Sequence, residues 1–318
     1  MAKEIGGYFE LGPLRQTGEY YPNAVALNTA RNALVYLVRA RDIKKLYLPR
    51  FLCDSVSNVC IREGVPYEEY AIGEDWLPKE LPPKEDRTWL YLVNYYDQLS
   101  DEQILDIKNR YPNLILDHVQ AFFHRPPEGI DTIYSCRKFF GVPDGAYLVT
   151  DAVLNKPLEP DVSMDRMRHL LGRLEGKSAS DYYADFQRND AAFDALELRT
   201  MSKLTHMLLG GIDYDAARAQ REENFSFLAE RLDGRNPLNM KMPCGSYAYP
   251  FYCENGMELK KRLAEEGVFI PTLWPNVCEY QNTLEQRYAE NILPLPCDQR
   301  YEHVDMECVA SHLKRFLK

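Results

Sequence analysis

The chain has 318 residues, 45% of them hydrophobic, which is enough for a substantial buried core and two domains. Its 38 Lys and Arg against 48 Asp and Glu leave a formal charge of −10, and no dense basic run offsets it, so a nucleic-acid partner is not expected. No stretch reaches the apolar length a membrane span needs, and Met1-Ala2-Lys3-Glu4-Ile5-Gly6-Gly7 lacks the apolar core of a secretory signal; a cytosolic protein is expected.

After an irregular stretch containing Gly12-Pro13 and Tyr20-Tyr21-Pro22, residues Leu27 to Leu37 read as the opening of a helix that Thr29 or Asn28 can cap. A helix amino end binds anions through its free N–H groups, and Arg31 would add a charged fork; a bare capping role for Thr29 stays open beside that reading. Short apolar runs then alternate with helical patterns: Lys45 to Pro49, a helix near Asp54 to Glu63, Val65 to Tyr70, Thr88 to Val93, a helix over Ser100 to Arg110, and Asn113 to Leu116. This rhythm predicts an α/β fold with a mainly parallel sheet wrapped by helices. Gly73 to Arg87, with prolines at 78, 82 and 83, reads as a surface loop. From about Asp161 to Leu232 the pattern is helical, with Asp190 to Leu209 and Asp215 to Leu232 as helices bridging two domains. Ser246 to Cys253 alternates like a strand, Met257 to Glu266 is an amphipathic helix, Val268 to Ile270 a short strand, and Val304 to Leu317 a closing helix. The expected division is a large domain over 1–214 and a small α+β domain over 215–318.

The chemistry concentrates between Leu116 and Thr150. Leu114, Ile115 and Leu116 end in Asp117 like a buried parallel strand, and in open α/β sheets ligands gather beyond the carboxyl ends of such strands. Lys138 follows 21 positions later, after Tyr134, Ser135, Cys136 and Arg137. A strand-end carboxylate can keep a pyridine ring nitrogen protonated while a lysine carries the cofactor as a Schiff base, so the pair suits a pyridoxal phosphate enzyme. Arg137 is expected to disfavour a second ammonium at Lys138. Taken singly, Asp117 reads as a turn or helix cap and Arg137-Lys138 as a solvated basic pair. Their combination with Gln120, Ser135 and the turn Val142-Pro143-Asp144-Gly145 favours the functional reading.

Eight cysteines, at 53, 60, 136, 244, 253, 278, 297 and 308, form no CxxC pair, and six dispersed histidines form no HExxH array; reduced thiols and no metal are expected. There is no GxGxxG and no Walker loop, and the sequon Asn224-Phe225-Ser226 reads as a chance match inside a helix.

Several segments resemble the DegT/DnrJ/EryC1/StrS aminotransferases, enzymes of fold type I that act largely on nucleotide-linked keto sugars. Thr29-Ala30-Arg31-Asn32-Ala33-Leu34 is similar to the family's phosphate turn, and Leu48-Pro49-Arg50-Phe51-Leu52-Cys53-Asp54-Ser55 to its second motif. Val93-Asn94-Tyr95-Tyr96-Asp97 resembles the segment along the cofactor's oxygen edge, and Asp117-His118-Val119-Gln120 the family's Asp-x-x-Gln. The resemblance implies that Asp117 meets the pyridine nitrogen, Gln120 lies near the ring hydroxyl, Ser135 binds phosphate with Thr29, Ala30 and Arg31, and Lys138 is the Schiff-base lysine. It places Asn94 and Tyr95 at the cofactor, and offers Phe51, Tyr95 and Tyr96 as ring-stacking aromatics, with ordinary core packing the alternative for each. Leu273-Trp274-Pro275 and Leu293 to Tyr301 resemble the closing signature. Three features depart from the pattern: Ser135 and Lys138 are three positions apart where the family has five, Pro143-Asp144-Gly145-Ala146 replaces Glu-Gly-Gly, and Ala30 stands where the phosphate turn has glycine.

The implied protein is a pyridoxal phosphate aminotransferase with an amino acid donor such as glutamate, a keto acceptor such as a nucleotide-linked keto sugar, and a homodimer with sites completed by the partner. A lyase or dehydratase on the same fold, or a non-catalytic binder of the cofactor or of a nucleotide sugar, are the alternatives.

Overall fold

The computed structural model describes residues 11, 14–232 and 234–317. The reading of Met1 to Gly7 and of Gly12-Pro13 lies outside these residues.

The first half alternates strand and helix: β1 Val25–Leu27, α1 Ala30–Ala40, β2 Lys45–Pro49, α2 Asp54–Glu63, β3 Tyr67–Tyr70, β4 Thr88–Val93, α3 Asp101–Arg110, β5 Leu114–Asp117, β6 Asp131–Ser135 and β7 Ala146–Val149. Local chemistry sets the helix ends. Thr29 caps α1, its hydroxyl accepting from Asn32 N at 3.0 Å, and Ser100 with Gln103 closes a capping box on α3. Gly64, at φ +67°, ends α2 in the left-handed conformation that glycine adopts without penalty.

The strands form one seven-stranded sheet in the order β1-β7-β6-β5-β4-β2-β3. β6, β5, β4, β2 and β3 run parallel, and β7 and β1 join antiparallel at one edge. Leu114, Ile115 and Leu116 have no exposed surface, as a strand covered on both faces requires. The carboxyl ends of β5 and β6 therefore deliver Asp117 and Ser135 to the same rim.

The remaining elements are α4 Arg168–Leu174, α5 Tyr183–Ala192, α6 Lys203–Gly210, α7 Tyr214–Leu232, β8 Tyr249–Tyr252, α8 Gly256–Glu265, α9 Leu284–Asn291, β9 Ile292–Leu295 and α10 His303–Phe316. Two expectations fail. Asp190 to Leu209 is not one helix, because the carbonyl of Glu197 accepts from the side chains of Asn28 at 3.0 Å and Asn32 at 2.8 Å. Those bonds, with Thr200 bridging Leu27 and Pro160, hold the stretch extended beside β1 until Ser202 caps α6. Val268 to Ile270 is not a strand, since Val268 N bonds Leu263 O at 2.9 Å to close α8 and Phe269 projects into solvent. The partner of β8 is β9, antiparallel, with Tyr249 opposite Leu295.

α7, α8, α10 and this strand pair enclose a second core through Phe225, Leu228, Leu263, Leu293 and Leu313, while Trp274, Val277 and Tyr288 pack onto the core of the large sheet. Asn224 of the sequon is fully buried. No described helix is long and apolar enough to cross a membrane.

Candidate active site

A cleft of about 680 Å³ opens at the carboxyl rim of the sheet, walled on its far side by the second core's segments. Thr29, Ala30, Arg31, Asp117, Gln120, Ser135 and Lys138 all line it. Residues 109 positions apart along the chain are thus brought to one surface by the parallel topology. Phe51, Asn94 and Tyr95 do not line the cleft. Phe51 and Tyr95 are buried behind its wall, 5.2 Å apart between ring centroids, with the Tyr95 hydroxyl donating to Phe51 O at 2.5 Å. Asn94 is fully buried and braces its own loop, donating to Asp97 Oδ1 at 3.1 Å and accepting from Leu99 N at 2.8 Å.

Asp117 is almost fully enclosed. Burial pushes its carboxyl above the usual carboxylate range, opposed by the Val119 N–H at 2.8 Å on Oδ1, the Tyr91 hydroxyl at 2.8 Å on Oδ2 and the charge of Lys138. A carboxyl in that state is best satisfied by a ligand bringing a cationic N–H. Gln120 is equally well buried and carries the clearest mark of a missing partner: Tyr96 N donates to its Oε1 at 3.0 Å, yet Nε2 finds no acceptor among the described residues. A buried unpaired donor costs about 1–3 kcal/mol, so its place on the cleft wall points to a ligand acceptor.

Ser135 ends β6 and Lys138 ends the single 3-10 turn Cys136–Lys138. Residues three apart eclipse in a 3-10 helix, so the three-residue step keeps both side chains on the cleft. The Lys138 ammonium lies 5.3 Å from the ring centroid of Tyr247, which faces it from the second core's side. Arg137, expected to bear on Lys138, instead sits over the Phe193 ring at 3.8 Å and 3.5 Å from Asp190; burial pulls its guanidinium down to about 10. It lines the cleft beside Arg31, whose Nε is 2.7 Å from Asp194 Oδ1. At that end the Asn32 amide is taken by the Thr29 cap, but the amides of Ala30 and Arg31 precede the first intrahelical bond, so two guanidinium groups and a helix amino end are gathered where an anion can bind.

The residues not foreseen from the pattern come from elsewhere in the chain. Tyr91 lies on a strand read only as apolar, although a buried tyrosine needs an acceptor for its hydroxyl. Tyr247, Phe269 and Thr272 belong to a region that reads as a separate domain. The closing signature does land here, through Trp274, Pro294, Pro296, Asp298, Arg300 and Tyr301. Arg300 forks onto Asp298 at 2.7 and 2.8 Å.

No protein-family model and no curated protein matches the chain. Solved structures do match its fold. DesV of S. venezuelae is 18% identical, with 92% of this chain and 84% of that one covered at a TM-score of 0.62. A DegT DnrJ EryC1 StrS aminotransferase from Brucella abortus is 15% identical, covering 92% and 85% at 0.61. PseC of Helicobacter pylori, an aminotransferase involved in the biosynthesis of pseudoaminic acid, is 16% identical, covering 92% and 86% at 0.62. The chain is similar to these proteins over nearly its whole length and shares their α/β fold.

Proposed function

We propose that this chain, built on the fold of the sugar aminotransferases, is a pyridoxal phosphate aminotransferase that moves an amino group from an amino acid, glutamate in the simplest case, to a keto sugar carried on a nucleotide. The observation that carries the reading is the convergence of a buried strand-end carboxyl, a lysine and an unpaired amide donor on one cleft. The residues fit the cofactor: Asp117 would hold the ring nitrogen, Gln120 Nε2 would meet a ring oxygen, and the α1 amino end with Ser135, Arg31 and Arg137 would hold the phosphate.

Bound pyridoxal phosphate supplies an electron sink for charge that develops on the carbon beside the transferred nitrogen. The chain supplies the rest. Lys138 Nζ would serve as general base toward the donor's Cα proton in the first half of the cycle and as general acid toward the acceptor carbon in the second, passing a proton on within each half. Asp117 would keep a proton on the ring nitrogen, and the Tyr91 hydroxyl, donating to its Oδ2 at 2.8 Å, would hold the carboxyl in place for it. Coulomb attraction between unit charges at ~4 Å rises from ~1 kcal/mol in water to ~4 at a protein surface, so enclosure of Asp117 is what gives that contact its force. Trp274 and Tyr301 also line the cleft and would be available to an acceptor.

A homodimer belongs to the same reading. Met164, Leu171, Leu174, Tyr183 and Phe186 leave large apolar surface exposed on one stretch, and Phe186 also lines the cleft. We place the division into domains near 214 and 215, a reading supported by a second core whose first member on α7 is Phe225. A cytosolic setting accords with eight free cysteines.

The test is titration of the protein with pyridoxal phosphate followed by borohydride reduction and peptide mapping. Modification at Lys138, loss of the visible-edge absorbance in Lys138→Ala, and bleaching of that band by glutamate in the wild type are expected. A wild-type protein that binds the cofactor elsewhere, or not at all, would overturn the assignment.

A further inference from the structure

Arg221 of α7 is among the most deeply buried side chains of the described residues, only 1% exposed, and among them it makes no hydrogen bond to a carboxylate. Its three partners are neutral: Nε donates to Gln299 Oε1 at 2.6 Å, Nη1 to Ser246 O at 2.7 Å and Nη2 to Phe139 O at 3.1 Å. Its guanidinium also lies 4.5 Å from the Phe139 ring centroid. Asp298, the acid whose charge bears most on it, is already forked by Arg300. Burying a cation against neutral acceptors is costly, and an apolar side chain of similar size would serve a purely structural core as well or better.

The identity of those acceptors explains the arrangement. Phe139 follows Lys138, and Ser246 precedes Tyr247, whose ring faces the Lys138 ammonium at 5.3 Å. One planar fork thus ties the Ser246–Tyr247 peptide, which adjoins the ring, to the Phe139–Phe140 peptide, one residue beyond Lys138. Gln299 reinforces it, because its Nε2 donates to the same Phe139 carbonyl at 2.8 Å. We infer that Arg221 is a positioning residue that sets the separation and orientation of Lys138 against Tyr247, with Gln299 as its support. Geometry and not charge is what it provides: a lysine ammonium at 221 is a point donor and does not span both carbonyls with a rigid fork. The inference rests on Lys138 being the reactive amine of the proposed function.

Lys138 can be interrogated in the unliganded protein by competitive reductive methylation from about pH 6 to about pH 10, read by mass spectrometry against the exposed Lys203 as internal reference. In Arg221→Met the labelling rate of Lys138 is expected to change severalfold, with Lys203 unaltered, because reactivity is sensitive to displacements of the amine near 1 Å. Arg221→Lys is expected to resemble Arg221→Met, and Gln299→Met to shift Lys138 in the same direction by less. Wild-type labelling in a folded Arg221→Met protein, or full rescue by Arg221→Lys, overturns the inference. If Arg221→Met does not fold, Gln299→Met decides it: a shifted Lys138 supports positioning and an unshifted one refutes it. Failure of the cofactor reading would show itself separately, as wild-type protein left unmodified at Lys138 by pyridoxal phosphate and borohydride.

Discussion

Replacing His124 with Gln tests the polar knot that holds the loop behind Gln120. His124 Nδ1 lies 2.5 Å from Asp97 Oδ1 and its Nε2 2.8 Å from Asp101 Oδ1, and the His118 ring packs 4.9 Å away. Burial alone would lower the imidazole, but the two carboxylates outweigh it and raise the group to about 9. Asp97 Oδ2 also accepts from Cys244 N at 2.7 Å, so the knot joins the rim of the sheet to the second core's approach segment. Between these anchors Tyr96 and Asp97 adopt φ of +52° and +61°, a conformation costing a non-glycine residue about 1 kcal/mol or more. That turn is what points Tyr96 N at Gln120 Oε1. A group whose pKa is higher in the folded than in the unfolded chain contributes fully below its unfolded value, 6.5, and the contribution disappears as pH rises through about 9. From about pH 7 upward two units remain, ~2.7 kcal/mol at ~1.36 kcal/mol per unit, and screening of a side chain 18% exposed reduces this to ~2. Urea unfolding at about pH 7 and about pH 10 should therefore show wild type losing ~2 kcal/mol more than His124→Gln over that interval. Equal losses in the two proteins would refute the argument.

Tyr91→Phe removes the hydroxyl on Asp117 Oδ2; the protein should lose ~1–3 kcal/mol in thermal or urea unfolding and bind pyridoxal phosphate less tightly, and an unchanged affinity would remove Tyr91 from the site. Asp190→Asn with Asp194→Asn releases Arg137 and Arg31 from their carboxylates, so inorganic phosphate should bind severalfold more tightly by calorimetry, whereas weaker binding would mean that these acids only orient the arginines. Leu171→Glu with Leu174→Glu places charge on the exposed apolar stretch and should convert a dimer to monomers in sedimentation velocity; a dimer that persists would place the interface elsewhere.

What could be read from the amino acids alone follows the range of the interactions involved. α2 and β4 begin and end where their local patterns place them, because caps, turns and alternation act within a few residues. Asp117 was legible for the same reason, as the residue that closes an unbroken apolar strand. The helix expected over Asp190 to Leu209 breaks under contacts from Asn28 and Asn32, more than 160 positions away, and no window-sized pattern contains them. Phe51 and Tyr95 illustrate a different limit. Each lies in a segment that reaches the cleft, Leu52 and Cys53 beside the one and Val93 near the other, but adjacent residues leave the chain in different directions and only one side reaches the ligand space. Asn94 sits between these cases: its side chain serves the loop that carries Tyr96, and through Tyr96 it fixes which end of Gln120 is left free.

The shortened step from Ser135 to Lys138 shows how a departure in sequence can leave the chemistry standing. Removing two residues from an extended loop would draw the lysine back by several ångströms, since extended residues advance ~3.3 Å each. A 3-10 turn advances only ~2.0 Å per residue and returns to the same side after three, so Lys138 stays over the rim that Ser135 shares. The compact turn leaves little slack to adjust the ammonium from within its own segment. The fine placement then has to come from outside it, through whatever holds the carbonyl of Phe139, and that carbonyl carries two donors from distant parts of the chain, Arg221 and Gln299.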